Sequence, residues 1–271
     1  RFWHCASSVS TMRAQMCEAA SSLVIFTNMS KASEEEIMWF RHKIVRLTSL
    51  LHATCLASFC DRETHFELID VESLNAQDLK ILQVAQGKMR VDIVYTWLNA
   101  LIIKSLASGL LNVPPPILSR VFQELEKSMV EFHQVQQVMT IPFPFPYAQM
   151  AVVLLMAMVF GTPIAMCYWT DHPASTAGLT FIAIVCLVSL ELIADELDNP
   201  FGDDLNDLPC DEFQAEINGS LALLVTPIVD QSPELQEENL RVLADLVGRG
   251  DFPCDPTSYI NDPQYPGVPE K

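Results

Sequence analysis

The sequence runs to 271 residues, half of them hydrophobic, with a formal net charge of −18 and a mean hydropathy of +0.23. A chain of that size can bury a large core, and positive hydropathy combined with so much acid predicts segregation into apolar and acidic regions. Phosphate binding needs clustered Lys and Arg, so 16 basic against 34 acidic residues exclude nucleic acid as a partner.

The chain starts at Arg1 without an initiator Met, and nothing near the start has the charged, apolar and small-residue order of a signal peptide. The expectation is therefore an upstream N-terminus. Residues 10–135 read as a series of amphipathic helices. Residues 34–60 combine an acidic start with Ile37, Phe40, Ile44, Leu47 and Leu51 at helical spacing. Residues 74–85 and 91–111 continue the pattern. The stretch 92–111 is apolar enough for a membrane helix, but Asp92, Asn99 and Lys104 interrupt it, so a buried cytosolic helix is expected. Pro114, Pro115 and Pro116 end it and open a helix over 117–138.

Residues 141–147 read Ile-Pro-Phe-Pro-Phe-Pro-Tyr. Alternating prolines fix φ and remove amide donors, which predicts a rigid extended lead-in rather than an ordinary helix or central strand, with a structural alternative in which the stretch is an interfacial aromatic belt with Pro near the first helical turn. Residues 148–169 then run about a bilayer's length without a charge and end on Tyr168 and Trp169, an interfacial pair. After a short polar connection, residues 177–194 form a second apolar run whose only charge, Glu191, lies near its end. Together the two runs predict a helical hairpin across a membrane, against the alternative of a buried hairpin in a soluble all-α core. No Lys or Arg falls between Lys127 and Arg241, so charge bias cannot orient the hairpin and no cationic ring on it can select anions.

Residues 196–209 are dense in oxygen donors: Glu196, Asp198, Asn199, Asp203, Asp204, Asn206 and Asp207. Hard cations such as calcium take six to eight oxygens, although the order is not that of an EF-hand and an acidic turn after a membrane helix also serves as a solvated cap. Beyond it, 211–225 and 233–247 look helical, and the last twenty residues, rich in Pro and Asp, look extended.

Enzyme signatures are absent from the sequence: it has no Gly-x-Ser-x-Gly, no His-Glu-x-x-His and no phosphate-binding glycine loop. His65, with Cys60, Asp61 and Glu63 nearby, reads as a solvated loop at a helix end rather than a metal cluster. The eight cysteines show no Cys-x-x-Cys spacing and read as reduced, non-metal residues.

The proline-aromatic stretch ending in Tyr147-Ala148-Gln149, the hairpin, and Asn199-Pro200-Phe201-Gly202 followed by acids resemble, in that order, the bestrophin family of anion channels, in wording closest to its algal, protist and bacterial branch. Arg1-Phe2-Trp3 looks like the aromatic end of that family's second membrane helix, which makes the sequence an N-terminally truncated member. The resemblance implies an all-α pentamer around a shared pore, passing chloride or bicarbonate, in a plasma or organelle (for instance thylakoid) membrane. Phe143, Phe145, Pro146 and Tyr147 would lie on the anion path, with the electropositive ring edges toward a partly dehydrated anion and a constriction near Pro146 gating by dewetting. For calcium, Asp204 and Asp207 match the family's side-chain ligands and Glu196 and Asn199 its backbone-oxygen positions, while Leu205 and Asn206 replace acids of the animal motif. The expected layout is a mainly cytosolic helical region over 1–140, the lead-in and two membrane helices over 141–195, the acidic motif and cytosolic helices over 196–250, and an extended tail over 251–271. A non-conducting membrane scaffold of the same fold is the alternative.

Overall fold

The computed structural model describes residues 1–60, 66, 69, 75–141, 144–202 and 206–226. The expected helix over 233–247 and the tail lie outside them. The described residues belong to one compact unit and form eight α-helices: α1 (Phe2–Phe26), α2 (Glu34–Ala57), α3 (Ala76–Val84), α4 (Lys88–Ala107), α5 (Pro115–Thr140), α6 (Phe145–Trp169), α7 (Pro173–Asp198) and α8 (Cys210–Leu223).

Five of these helices build a packed bundle. α1 buries Cys5, Val9, Met12, Met16, Ala20 and Leu23, a three-and-four spacing that draws one apolar stripe down the helix. The stripe faces α5, whose Leu118, Val121, Leu125, Phe132 and Val135 are buried in the same rhythm. α2 is the central element, touching α1, α4 and α8, and from Leu47 to Leu56 it is buried on every face. Its start is fixed by a capping box in which Ser33 Oγ accepts from the Glu36 amide and the Glu36 carboxylate accepts from the Ser33 amide. Glu34, Glu35 and Glu36 add negative charge to that first turn, where the helix dipole favours it. Arg41 is buried and donates to Thr27 Oγ1 (2.8 Å) and Asn28 Oδ1 (2.6 Å), tying α2 to the short 3₁₀ turn that ends α1.

Two boundaries differ from the sequence reading. The first helix begins at Phe2 rather than near residue 10, because Ser7, Ser8 and Ser10 are absorbed on a helix already committed by its buried stripe. α4 stops at Ala107 rather than 111: Gly109 takes φ +79°, a left-handed conformation glycine adopts without penalty, and the Leu111 amide turns back to the Ser105 carbonyl. The position of α4 against α2, with Val91, Val94, Leu98 and Ile102 buried, makes it a bundle helix.

α6 and α7 differ in kind. They pack on each other, and neither contains a buried residue. Their 25 and 26 residues reach about 37–39 Å at 1.5 Å per residue, enough to cross about 30 Å of hydrocarbon. Val152, Leu154, Phe160, Ile164, Phe181 and Ile182 all stand exposed. A core hairpin of a soluble fold would bury such residues, and this hairpin buries none of its own, leaving a large apolar surface.

Candidate functional site

The two motifs flagged by the sequence sit at the two ends of the hairpin nearest the bundle. At the first, the α5 backbone leaves the helix at Ile141 in extended conformation, and Pro144 (φ −56°, ψ 119°) is the N-cap of α6. Helix α6 begins at Phe145, earlier than the extended lead-in predicted from the prolines. Proline at the second helical position loses no hydrogen bond, because the first-turn amides have no intrahelical partner. Pro146 therefore starts the helix instead of preventing it, and the Tyr147 amide closes onto the Pro144 carbonyl at 2.9 Å. Phe145 and Tyr147 are each 69 % exposed, and Pro146 is exposed beside them. Phe143 lies outside the described residues.

At the second motif, α7 ends at Asp198 and the chain turns through Asn199, Pro200, Phe201 and Gly202. The Phe201 ring is only 4 % exposed and packs 5.2 Å from the Phe59 ring, which itself lies 5.4 Å from Phe132. Phe201 thus anchors the turn into the bundle against Phe59 at the end of α2, with Phe132 of α5 in contact with the same Phe59 ring. The turn closes through the Leu208 amide donating to the Pro200 carbonyl at 2.9 Å. A Cβ on Gly202 would stand 2.7 Å from Asp207 Oδ2 and 3.4 Å from the Asn199 amide nitrogen, so this position must be glycine for the Asp207 carboxylate to fold back over the backbone. Glu196 and Asn199 are exposed, Asp207 is half-buried, and Asp204 lies outside the described residues.

Arg1 links the two ends. Its Nη1 lies 2.6 Å from Asp198 Oδ1, and its Nη2 donates to the carbonyls of Val138 and Ile141, at the end of α5. The end of α7 and the approach to α6 therefore share one guanidinium.

A family model for the bacterial and fungal bestrophin protein matches residues 1–222, a span that includes both motifs and the hairpin. The chain belongs to the bestrophin family. Among solved structures, two single-substitution variants of a bacterial bestrophin homologue from Klebsiella pneumoniae share this fold. One has TM-score 0.64 at 15 % identity, covering 82 % of this chain and 81 % of that one. The other has TM-score 0.61 at 16 % identity with the same coverage. A crystal structure described as a membrane protein variant reaches TM-score 0.67 at 15 % identity, covering 86 % and 79 %. No match was found among curated proteins. As a bestrophin with two exposed apolar helices, the protein is a membrane protein.

Several features escaped the sequence reading. Phe201 was legible only as part of a motif. Its signal is that it and Leu205 are the apolar residues within the acidic run 198–207. Behind the motif, α8 is held to α2 by buried polar groups: His52 Nδ1 and Gln214 Oε1 lie 2.7 Å apart, and the Gln214 amide nitrogen donates to the Ser49 carbonyl (3.2 Å) and to Asn218 Oδ1 (3.1 Å). Burial pushes the His52 imidazole down to about 4, so it is neutral at physiological pH. Arg13 of α1 pairs with Glu216 of α8. A cavity of about 820 Å³ opens between α2 and α4, lined among others by Trp39, Lys43, Arg46, Asp78 and Trp97, and no residue of either motif lines it.

The atoms that meet over Gly202 are an Asp207 carboxylate oxygen and the Asn199 side-chain nitrogen, of which only the oxygen is a ligand type for calcium. Among the described residues no three Asp, Glu, His or Cys side chains cluster as a metal site.

Proposed function

We propose that this protein is a channel carrying a small anion, chloride or bicarbonate, passively across a membrane, as an oligomer, a pentamer by family resemblance, around a shared pore. The observation that carries the reading is the α6–α7 hairpin, wholly without buried residues, rising from a packed bundle in a chain of the bestrophin family. The anion path is assigned to Phe143, Phe145, Pro146 and Tyr147 at the start of α6. Support comes from the exposure of Phe145, Pro146 and Tyr147 at the start of α6. With no Lys or Arg from 128 to 240, selectivity rests on aromatic ring edges and partial dehydration rather than on fixed positive charge.

The acidic turn is assigned a regulatory calcium, with Asp204 and Asp207 offering carboxylates and Glu196 and Asn199 backbone oxygens. Bound calcium would neutralise the turn beside Phe201 and stiffen the junction between α7 and the bundle.

The test is anion flux from liposomes containing the complete protein, chloride against bicarbonate, with and without calcium, for the wild type and for Asp204→Ala and Asp207→Ala. Flux that needs calcium and both carboxylates supports the whole reading. Flux indifferent to all three retains the channel and removes the calcium. A well-folded oligomer that passes no anion overturns the channel and favours a membrane scaffold.

A further inference from the structure

Cys60 and Cys210 are far apart in sequence and adjacent in space. Their Sγ atoms lie 3.7 Å apart across a sequence separation of 150 residues. Cys60 follows Phe59 in the turn that ends α2, with its amide donating to the Leu56 carbonyl at 3.3 Å; Cys210 is the first residue of α8, with its amide donating to the Leu208 carbonyl at 2.9 Å. Both backbones are therefore fixed by hydrogen bonds, and the Phe59–Phe201 ring contact holds the two segments side by side. A disulfide needs an S–S separation of about 2.0 Å, a closure within reach of side-chain rotation and a small backbone adjustment.

We infer that Cys60 and Cys210 form a dithiol centre that closes reversibly to an intramolecular disulfide by exchange with a low-molecular-weight disulfide of the glutathione type, fastening the turn between α7 and α8 to the end of α2. The reaction balances in two exchanges. The Cys60 thiolate attacks a sulfur of the oxidant and releases one thiol; the Cys210 sulfur then attacks Cys60 Sγ of the mixed disulfide and releases the second. The protein loses two thiol protons and two electrons, and the oxidant is reduced to two thiols. The first attack falls to Cys60, which is half-buried where Cys210 is buried. The hydrogen bond with Cys60, together with burial, also holds the Cys210 thiol above its usual range.

The bond would sit one residue beyond Phe59 and three beyond Asp207, at the base of the acidic turn. Closing a loop this long removes much freedom from the unfolded chain, and the turn itself would lose most of its freedom to leave α2. Neither consequence depends on the protein conducting ions.

The experiment uses the complete protein in detergent or lipid, equilibrated against mixtures of oxidised and reduced glutathione, quenched, digested and analysed by mass spectrometry. The expected result is a peptide pair joining Cys60 to Cys210 and lighter by two hydrogens than the separate thiol peptides. It should revert with dithiothreitol and be accompanied by a rise of several degrees in Tm. Cys60→Ser and Cys210→Ala should abolish the pair and the Tm rise. A second measurement needs no variant: dibromobimane, which fluoresces after both its arms have reacted with thiols, should join the same two peptides in the reduced wild type. Stable glutathione adducts on Cys60 without closure, or bridging of either residue to another cysteine in preference to its neighbour, would overturn the inference.

Discussion

Phe201→Ala tests whether the aromatic anchor or the surrounding acid holds the turn after α7. The ring is 4 % exposed and sits against Phe59. Truncating a buried Phe to Ala costs about 3–5 kcal/mol, the transfer free energy of the lost atoms plus a cavity term. About 0.5–1.5 kcal/mol of that belongs to the aromatic pairing beyond area burial. The upper half of the range is expected, because Phe59 is pinned from the other side by Phe132 and cannot move in to fill the space. Phe201→Leu keeps most of the apolar volume, and a cost of about 1–2 kcal/mol is expected. The assay is denaturant or thermal unfolding of the purified protein, with hydrogen exchange at the Leu208 amide as a local probe, since its bond to the Pro200 carbonyl closes the turn. Protection at Leu208 should fall in the alanine variant. In a double-mutant cycle with Phe59→Ala the two losses should be less than additive, because each removes the same contact. A loss below about 1 kcal/mol with unchanged Leu208 protection would refute the reasoning and leave the turn held by its polar groups.

Three further outcomes follow from the same geometry. His52 is neutral in the fold, with burial lowering its pKa to about 4 from an ordinary 6.5, so the unfolded chain takes up a proton first as the pH falls. The stability it supports is complete above pH 6.5 and declines toward pH 4, by about 3 kcal/mol in the limit. His52→Gln should flatten that part of the stability–pH curve, and a curve of unchanged shape would show that His52 titrates normally. Gly202→Ala should force the Asp207 carboxylate aside, costing under about 1 kcal/mol because only the end of a flexible side chain moves while weakening calcium binding in a titration; unaltered binding would remove Asp207 from the ligand set. Val185→Lys, near the middle of α7, should disfavour membrane insertion by about 3 kcal/mol, read as the inserted fraction in a microsomal glycosylation assay; full insertion would place that position away from the hydrocarbon.

The helices were legible because the signals that form them are local. The three-and-four spacing of Ile44, Leu47 and Leu51, the acids before Ile37, and the uncharged runs on either side of residues 170–176 each state their structure within one segment. The prolines before α6 allow both an extended lead-in and a place in the first helical turn, and the structure takes the second for Pro146, because proline's cost vanishes where the amide would have no partner. The anchoring of Phe201, the His52–Gln214 contact and the meeting of Cys60 with Cys210 were illegible for another reason. Each joins residues separated by more than a hundred positions, and no periodicity in either segment points to the other. The acidic turn shows the limit clearly: its composition announces oxygen chemistry, but the feature that shapes it is Asp207 returning over Gly202, which depends on Phe201 being fixed elsewhere.

The two ends of the hairpin are held by different physics, and the difference bears on how it could move. At the α7 end, Phe201 is buried in an aromatic contact that water does not weaken and salt does not screen. Between that end and the α6 approach one polar connection is Arg1, with Asp198 nearly half exposed, and exposed ion pairs contribute about 0–1 kcal/mol and fade with ionic strength. Phe145, Pro146 and Tyr147 are exposed at the start of α6, whereas Phe201 is buried just beyond the end of α7. Of these two described contacts the Phe201 anchor is the costlier to break, about 3–5 kcal/mol against about 0–1 kcal/mol for the Arg1–Asp198 pair. Calcium or a disulfide at the acidic turn would add to the Phe201 contact, already the stronger of these two described attachments.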